Sequence, residues 1–158
     1  MLIGVISDTH GYLDPRALPA LQGVAHILHA GDIGSTAIIE QLEQIAPVTA
    51  VYGNTDAGTT FARQLPASRW LEWEGVRIYM THIGGQPADL AVRLPATPSE
   101  RPHVYIFGHT HVALLEKIDQ VLFLNPGAAG RPRFGGGLSV ARLMLNAGQA
   151  TAEIVPFE

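Results

Sequence analysis

Leu2-Ile3-Gly4-Val5-Ile6-Ser7-Asp8-Thr9-His10 opens the chain with an apolar run that turns abruptly polar. A short stretch rich in Ile and Val reads as a buried β-strand, and the polar residues after it lie at its C-terminal edge. If extended geometry continues, alternation sets Asp8 and His10 on one side, a carboxylate and an imidazole gripping from one direction. Alone, D-x-H is a common pattern. Its weight comes from repetition.

Four more segments end in the same way. Ala25 to Asp32 ends in Gly31-Asp32, and Val48 to Asp56 ends in Gly53-Asn54-Thr55-Asp56. Arg77 to His82 ends in a histidine, and Val104 to His111 ends in Gly108-His109-Thr110-His111. Three of these endings place Gly before the polar residue, where the missing Cβ lets the backbone turn or approach a ligand. Ligands of open α/β sheets bind outside the carboxyl ends of the strands. Asp8, His10, Asp32, Asn54, His82, His109 and His111 are therefore read as one constellation. Such a set of oxygen and nitrogen donors can hold two divalent cations around a shared carboxylate, the apparatus for hydrolysing phosphate esters.

Outward from these segments, helices and hairpins take their places. Asp14-Pro15 resembles an N-cap with Pro at the first helical position, opening a short helix towards Leu21. Ser35 caps a second helix, with Ile38, Ile39, Leu42 and Ile45 on one face and Pro47 as its stop. Gln86 to Leu94 is the third. After Ser68 the pattern changes to hairpins: Arg69 to Trp73 with Val76 to His82, Val112 to Ile118 with Val121 to Asn125, and Leu138 to Leu145 with Ala150 to Pro156. Their turns are Glu74-Gly75, Asp119-Gln120 and Asn146-Ala147-Gly148. Early βα units and late hairpins predict an α/β fold of two packed sheets with helices outside.

The 158 residues are read as a single domain, 1–158, long enough for a substantial core. A formal net charge of −4 argues against stable nucleic-acid binding, which draws on a basic footprint. The absence of cysteine excludes a disulfide framework and a thiolate zinc site. No apolar stretch approaches membrane-spanning length and the start lacks a basic signal region, so no membrane partner and a cytoplasmic location are expected. His26, His29 and His103 lie in or near strands and are read as structural, with His29 close enough to Gly31-Asp32 to bond a metal ligand. Arg131 and Arg133 flank the Gly- and Pro-rich stretch Gly130 to Gly137 and are read as solvated, although arginine suits two-pronged phosphate contact. Trp70 and Trp73 serve an oligomer interface or the core equally well.

The ordered set D-x-H, G-D, G-N-x-D, H and G-H-x-H resembles the calcineurin-like metallophosphoesterases, and most of all their small capless phosphodiesterases of the YfcE type. The likeness runs from Leu2 to about Gly127, where Asn125-Pro126-Gly127 matches a further family element. It implies a four-layer α-β-β-α sandwich of two mixed sheets. It also implies one cation on Asp8, His10 and His111, another on Asn54, His82 and His109, Asp32 bridging both, and Asn54 facing the substrate phosphate. The nucleophile would be a metal-bridging hydroxide and the substrate a small phosphodiester or other phosphate ester. The metals would be two divalent ions, manganese first, with Fe2+, Zn2+ or Ni2+ also suited to these donors.

Two departures bear on the chemistry. Many relatives carry G-N-H-[DE], whose histidine assists the leaving group; here Thr55 stands in its place, and threonine is no general acid near neutral pH. That favours diesters over general phosphatase substrates and leaves Asp56 a supporting or helix-capping role. At His82-Ile83-Gly84 the second histidine of the relatives' H-G-H is missing, with no loss to the ligand count. The competing expectation is a non-catalytic metal-binding interaction scaffold of the same fold, such as the retromer coat subunit that resembles it. Scaffolds of that kind lose ligand positions, whereas all seven are present here.

Overall fold

The computed structural model describes residues 1–157. In chain order its strands and α-helices are β1 (Leu2–Ile6), α1 (Ala17–Ala20), β2 (His26–His29), α2 (Thr36–Glu43), β3 (Val48–Ala50), β4 (Ser68–Trp73), β5 (Val76–Thr81), α3 (Pro87–Arg93), β6 (Val104–Ile106), β7 (Leu114–Ile118), β8 (Val121–Asn125), β9 (Ser139–Asn146) and β10 (Gln149–Pro156).

Two five-stranded mixed sheets result. One runs β10-β9-β1-β2-β3, with β1, β2 and β3 parallel and β9 and β10 antiparallel; the other runs β4-β5-β6-β8-β7, with β5, β6 and β8 parallel. Val5 and Leu28 of the first sheet, with Val51 just beyond β3, meet Ile78, Met80 and Ile106 of the second in a fully buried layer. On the outer face of the first sheet, Ile6 and Ile27 pack against Leu21, Ile38 and Leu42 from the α1 and α2 regions. On the outer face of the second, Tyr105, Phe107 and Phe123 pack against Leu90 of α3. Three apolar layers between four structural ones give the expected α-β-β-α sandwich, because strands clad on both faces must be apolar on both.

The local signals behave as their chemistry dictates. The Ser35 side chain accepts from Ala37 N at 3.2 Å and starts α2, whose buried face is Ile38 and Leu42. The three hairpin turns are Glu74-Gly75, Asp119-Gln120 and Ala147-Gly148, each with both residues at positive φ, as two-residue loops of type I′ require. The last is one residue shorter than expected, since Asn146 still pairs within β9. The first helix differs more. Arg16 and not Asp14 precedes it, the Asp14 carboxylate accepts from the Arg16 backbone and guanidinium at 2.8–2.9 Å, and only Ala17–Ala20 are helical. Pro19, which has no N–H to give, sits inside that single turn.

A further correction concerns Asp8 and His10. β1 stops at Ile6, and both residues lie beyond it at φ 56° and 48°. Strand alternation therefore does not place them; a left-handed turn does.

Candidate metal centre

All seven expected residues meet at one edge of the sandwich, beyond the C-terminal ends of β1, β2, β3, β5 and β6. Potential ligand atoms of Asp8, His10 and His111 lie within 4.8 Å of one another, and so do those of Asp32, His82 and His109. Asn54 joins the second group, its Oδ1 3.1 Å from His109 Nδ1. Asp32 touches both: its Oδ2 is 3.6 Å from His10 Nε2 and 3.2 Å from His82 Nε2.

Backbone bonding brings the carrying turns together. Asp8 N, His10 N and Gly11 N donate to the carbonyls of Gly31, Asp32 and Ile33 at 2.8–3.0 Å, zipping the turn after β1 to the turn after β2. Gly108 N donates to His82 O at 2.9 Å, and His109 N crosses between the sheets to Asp8 Oδ2 at 3.0 Å. Asp8, His10, Asp32, His109 and His111 all have positive φ, a region disfavoured for L-residues but several-fold enriched in Asp and His.

The orientation of individual atoms tests whether cations fit. Asp8 Oδ2 accepts from Ser7 Oγ at 2.7 Å as well as from His109 N, while its Oδ1 is buried without a hydrogen bond and faces His111 Nε2 at 3.3 Å. His82 Nδ1 donates to Ala30 O at 2.8 Å, which leaves the Nε2 lone pair pointing inwards, again buried without a hydrogen bond. His10 Nε2 and His111 Nε2 stand 3.2 Å apart. Buried lone pairs converging in this way are costly unless a cation or proton sits among them. An imidazole bonded to a carbonyl through its other nitrogen is the usual form of a metal-ligating histidine. The donor set fits divalent cations.

Charge follows the same geometry. Burial works against ionised Asp32, but the adjoining His82 and Thr55 outweigh it and hold the carboxyl below the usual range; Thr55 N donates to Asp32 Oδ1 at 2.9 Å. For His82, burial disfavours the charged ring, yet Asp32, Asp8 and the Ala30 carbonyl together push its pKa up. His111 moves the other way, lowered mainly by burial.

Several supporting residues carry signals that the sequence reading only partly used. His29 is fully buried; Gly31 N donates to its Nδ1 at 3.2 Å, so its Nε2 carries the proton and meets Thr9 Oγ1 at 3.0 Å. The Thr9 hydroxyl in turn donates to Ile33 O at 2.9 Å. The ring thus joins the two turns without touching a candidate ligand, and burial pushes its pKa down to about 3. Asp56 caps no helix. Its carboxylate, 1% exposed, accepts from Ile33 N, Gly34 N and Gly53 N at 2.9–3.0 Å and ties the turn after β3 to the turn after β2. Asn125, buried in the Asn-Pro-Gly element, donates to Gly108 O at 2.9 Å and shapes the Gly-His-x-His turn. Glycine is demanded at all three expected positions: a Cβ at Gly53 would strike the Asp32 carboxylate, one at Gly31 would lie 2.7 Å from His82 Nδ1, and one at Gly108 would strike the Ser7 hydroxyl. His26 bonds Thr49 Oγ1 and His103 accepts from Arg77 N, structural roles as expected.

Residues 1–148 match the calcineurin-like phosphoesterase superfamily domain. A "probable metallophosphoesterase" of Methanothermobacter thermautotrophicus is 35% identical over 98% of this chain and 92% of its own length. A phosphodiesterase of Methanocaldococcus jannaschii is 30% identical over 80% of this chain and 83% of its own. Among solved structures, wild-type Vps29 from Entamoeba histolytica complexed with zinc superposes with a TM-score of 0.76 at 22% identity, covering 100% of both chains. The chain belongs to the calcineurin-like phosphoesterase superfamily. No helix among the described residues is long and apolar enough to cross a membrane.

Proposed function

We propose that the protein is a two-metal phosphodiesterase, with one divalent cation on Asp8, His10 and His111, the other on Asn54, His82 and His109, and Asp32 serving both. The observation that carries this reading is the position of Asp32 Oδ2, within 3.6 Å of a histidine nitrogen from each group. A cation pair supplies Lewis acidity to the phosphate and a nucleophile from water near neutral pH. The chain's own residues fix the donors: Ser7, His109 N and Ala30 O hold the outer atoms of Asp8 and His82 so that the inner atoms face the centre. The Asn54 amide stands at the rim of the second group, suited to the substrate phosphate as well as to a cation.

Thr55 narrows the chemistry. It offers no proton at neutral pH to a departing oxygen, so esters with good leaving groups suit this centre. That places phosphodiesters ahead of general phosphomonoesters, in line with the name of the M. jannaschii relative. Mn2+ is the first choice of metal; Fe2+, Zn2+ and Ni2+ suit the same donors. The test is hydrolysis of bis(p-nitrophenyl) phosphate by manganese-loaded protein, with Asp32→Ala expected to abolish it. Activity that survives both Asp32→Ala and exhaustive chelation overturns the proposal.

A second reading is a non-catalytic metal-binding scaffold of the same fold, the fold in which Vps29 is seen complexed with zinc. At that identity the likeness speaks to fold alone, and the unpaired Asp8 Oδ1 and His82 Nε2, with Asp32 between the two groups, support the enzyme. Calorimetry separates the two: uptake of two equivalents of Mn2+ without any ester hydrolysis across a diester and monoester panel would favour the scaffold.

A further inference from the structure

Residues 130–137 form a strap rooted beside the centre. Its base is closed by a bridge between Ala128 and Leu138, and Ala129 N donates to Ser7 O at 3.1 Å, next to Asp8. The strap then passes His111. The Phe134 ring stands 5.5 Å from the His111 imidazole, centroid to centroid, at 71°. Phe134 is nevertheless 86% exposed and has φ 56°. Folding alone gives little reason to hold a phenylalanine there, since it buries little apolar surface and adopts a backbone region that bulky side chains rarely take.

Its neighbours point the same way. Among the described residues no hydrogen bond or ion pair engages the Arg133 guanidinium, which directly precedes Phe134 on the strap. The Arg131 guanidinium lies 4.2 Å over the ring of Tyr12, two residues beyond His10. Tyr12, Ile83, Val112 and Phe134 are all exposed, and each follows or touches one of the candidate ligands. An apolar rim around a polar, buried centre marks a surface that meets a ligand with both characters.

We propose that the strap selects phosphate esters whose non-leaving substituent carries a planar aromatic ring, as in aryl or nucleoside diesters, with Phe134 as the stacking face and Arg133 as a charge for the phosphate. This rests on the reading of the centre as a phosphate-ester site. Stacking of one ring on an aromatic side chain supports a selectivity of about tenfold.

The test compares bis(p-nitrophenyl) phosphate with methyl p-nitrophenyl phosphate, which share a leaving group and differ in the substituent that stays. Phe134→Ala is expected to lower the ratio of their kcat/KM values about tenfold, mainly through KM. Phe134→Tyr should restore the ratio, and Val92→Ala, equally exposed but on α3, should leave it unchanged. Arg133→Gln should weaken both substrates. A ratio that moves less than twofold in Phe134→Ala overturns the inference. The same comparison without turnover uses calorimetry of manganese-loaded protein with phenylphosphonate and methylphosphonate. A protein that cleaves neither ester yet prefers the phenyl ligand through Phe134 loses the hydrolase reading and keeps the strap. Equal affinities in wild type and variant reject the strap, whatever the activity.

Discussion

Asp56→Asn is the most incisive single change outside the candidate ligands. The Asp56 carboxylate serves three backbone donors: Gly34 N at 2.9 Å through Oδ1, and Ile33 N at 3.0 Å with Gly53 N at 2.9 Å through Oδ2. An asparagine can keep its oxygen towards the pair, which turns its NH2 against Gly34 N–H. One donor is then left facing another donor, at a cost of about 1–3 kcal/mol for the unsatisfied group. The other two bonds lose their charge assistance, which is worth roughly 1 kcal/mol each. The expected loss is about 3–5 kcal/mol, a large share of the roughly 5–15 kcal/mol that stabilises a domain.

Urea unfolding of chelator-treated wild type and variant, with the free energies extrapolated to water, measures this directly. A midpoint shift at unchanged slope is the expected form. A loss below about 1 kcal/mol would show that water replaces the carboxylate at all three donors, refuting the clamp. The same variant should bind the second metal more weakly, because Asp32 and Asn54 lie on the two turns that Asp56 joins.

Gly53→Ala drives a methyl group into the Asp32 carboxylate, which serves both groups; calorimetry with Mn2+ should show weaker uptake at both sites, and two equivalents at unchanged affinity would contradict the geometry. For His29, burial holds the folded ring neutral, with its pKa near 3 against an unfolded value of 6.5. Its contribution is therefore complete above pH 6.5 and is lost as pH falls from there towards 3, at about 1.4 kcal/mol per unit. In metal-free protein His29→Asn should flatten the fall in stability between pH 6.5 and 5, and parallel profiles would show that the ring protonates in place.

What could be read from the sequence was local. An apolar run ending in Gly-Asp, Gly-Asn or Gly-His announces a strand and a close approach within a few residues, so the seven candidates and the sheet edge that gathers them were legible. The turns that aim them were not. Extended geometry was the natural reading for Asp8 and His10, and the left-handed φ at five of the seven depends on bonds to turns elsewhere in the chain. Asp56 shows the same limit. Its donors at Ile33 and Gly34 lie more than twenty residues away, and nothing beside Asn54-Thr55 names them. His29 looked structural and is so, but its partner Thr9 hides inside the D-x-H as its unassigned middle residue. Phe134 reads as one apolar residue in a glycine-rich loop until its ring is seen against His111.

Two demands on Asp8, Asp32 and His82 explain why Asp and His fill those positions. Asp8 gives Oδ2 to Ser7 and His109 N and keeps Oδ1 for the centre; His82 gives Nδ1 to Ala30 O and keeps Nε2. One atom holds the fold and the other is free to hold a cation, which requires two heteroatoms on a short side chain. The backbone adds a second filter, because Asp and His are among the few residues that enter the left-handed region readily. A glutamate or lysine would satisfy neither condition as well. Fold and chemistry are thereby partly separable: the outer bonds, with His29 and Asp56, set the positions of the turns, and the inner atoms decide what binds between them. Thr55 belongs to the first group through its amide on Asp32. Its side chain brings no titratable proton to the second, so under the proposed function a departing oxygen draws no proton from Thr55.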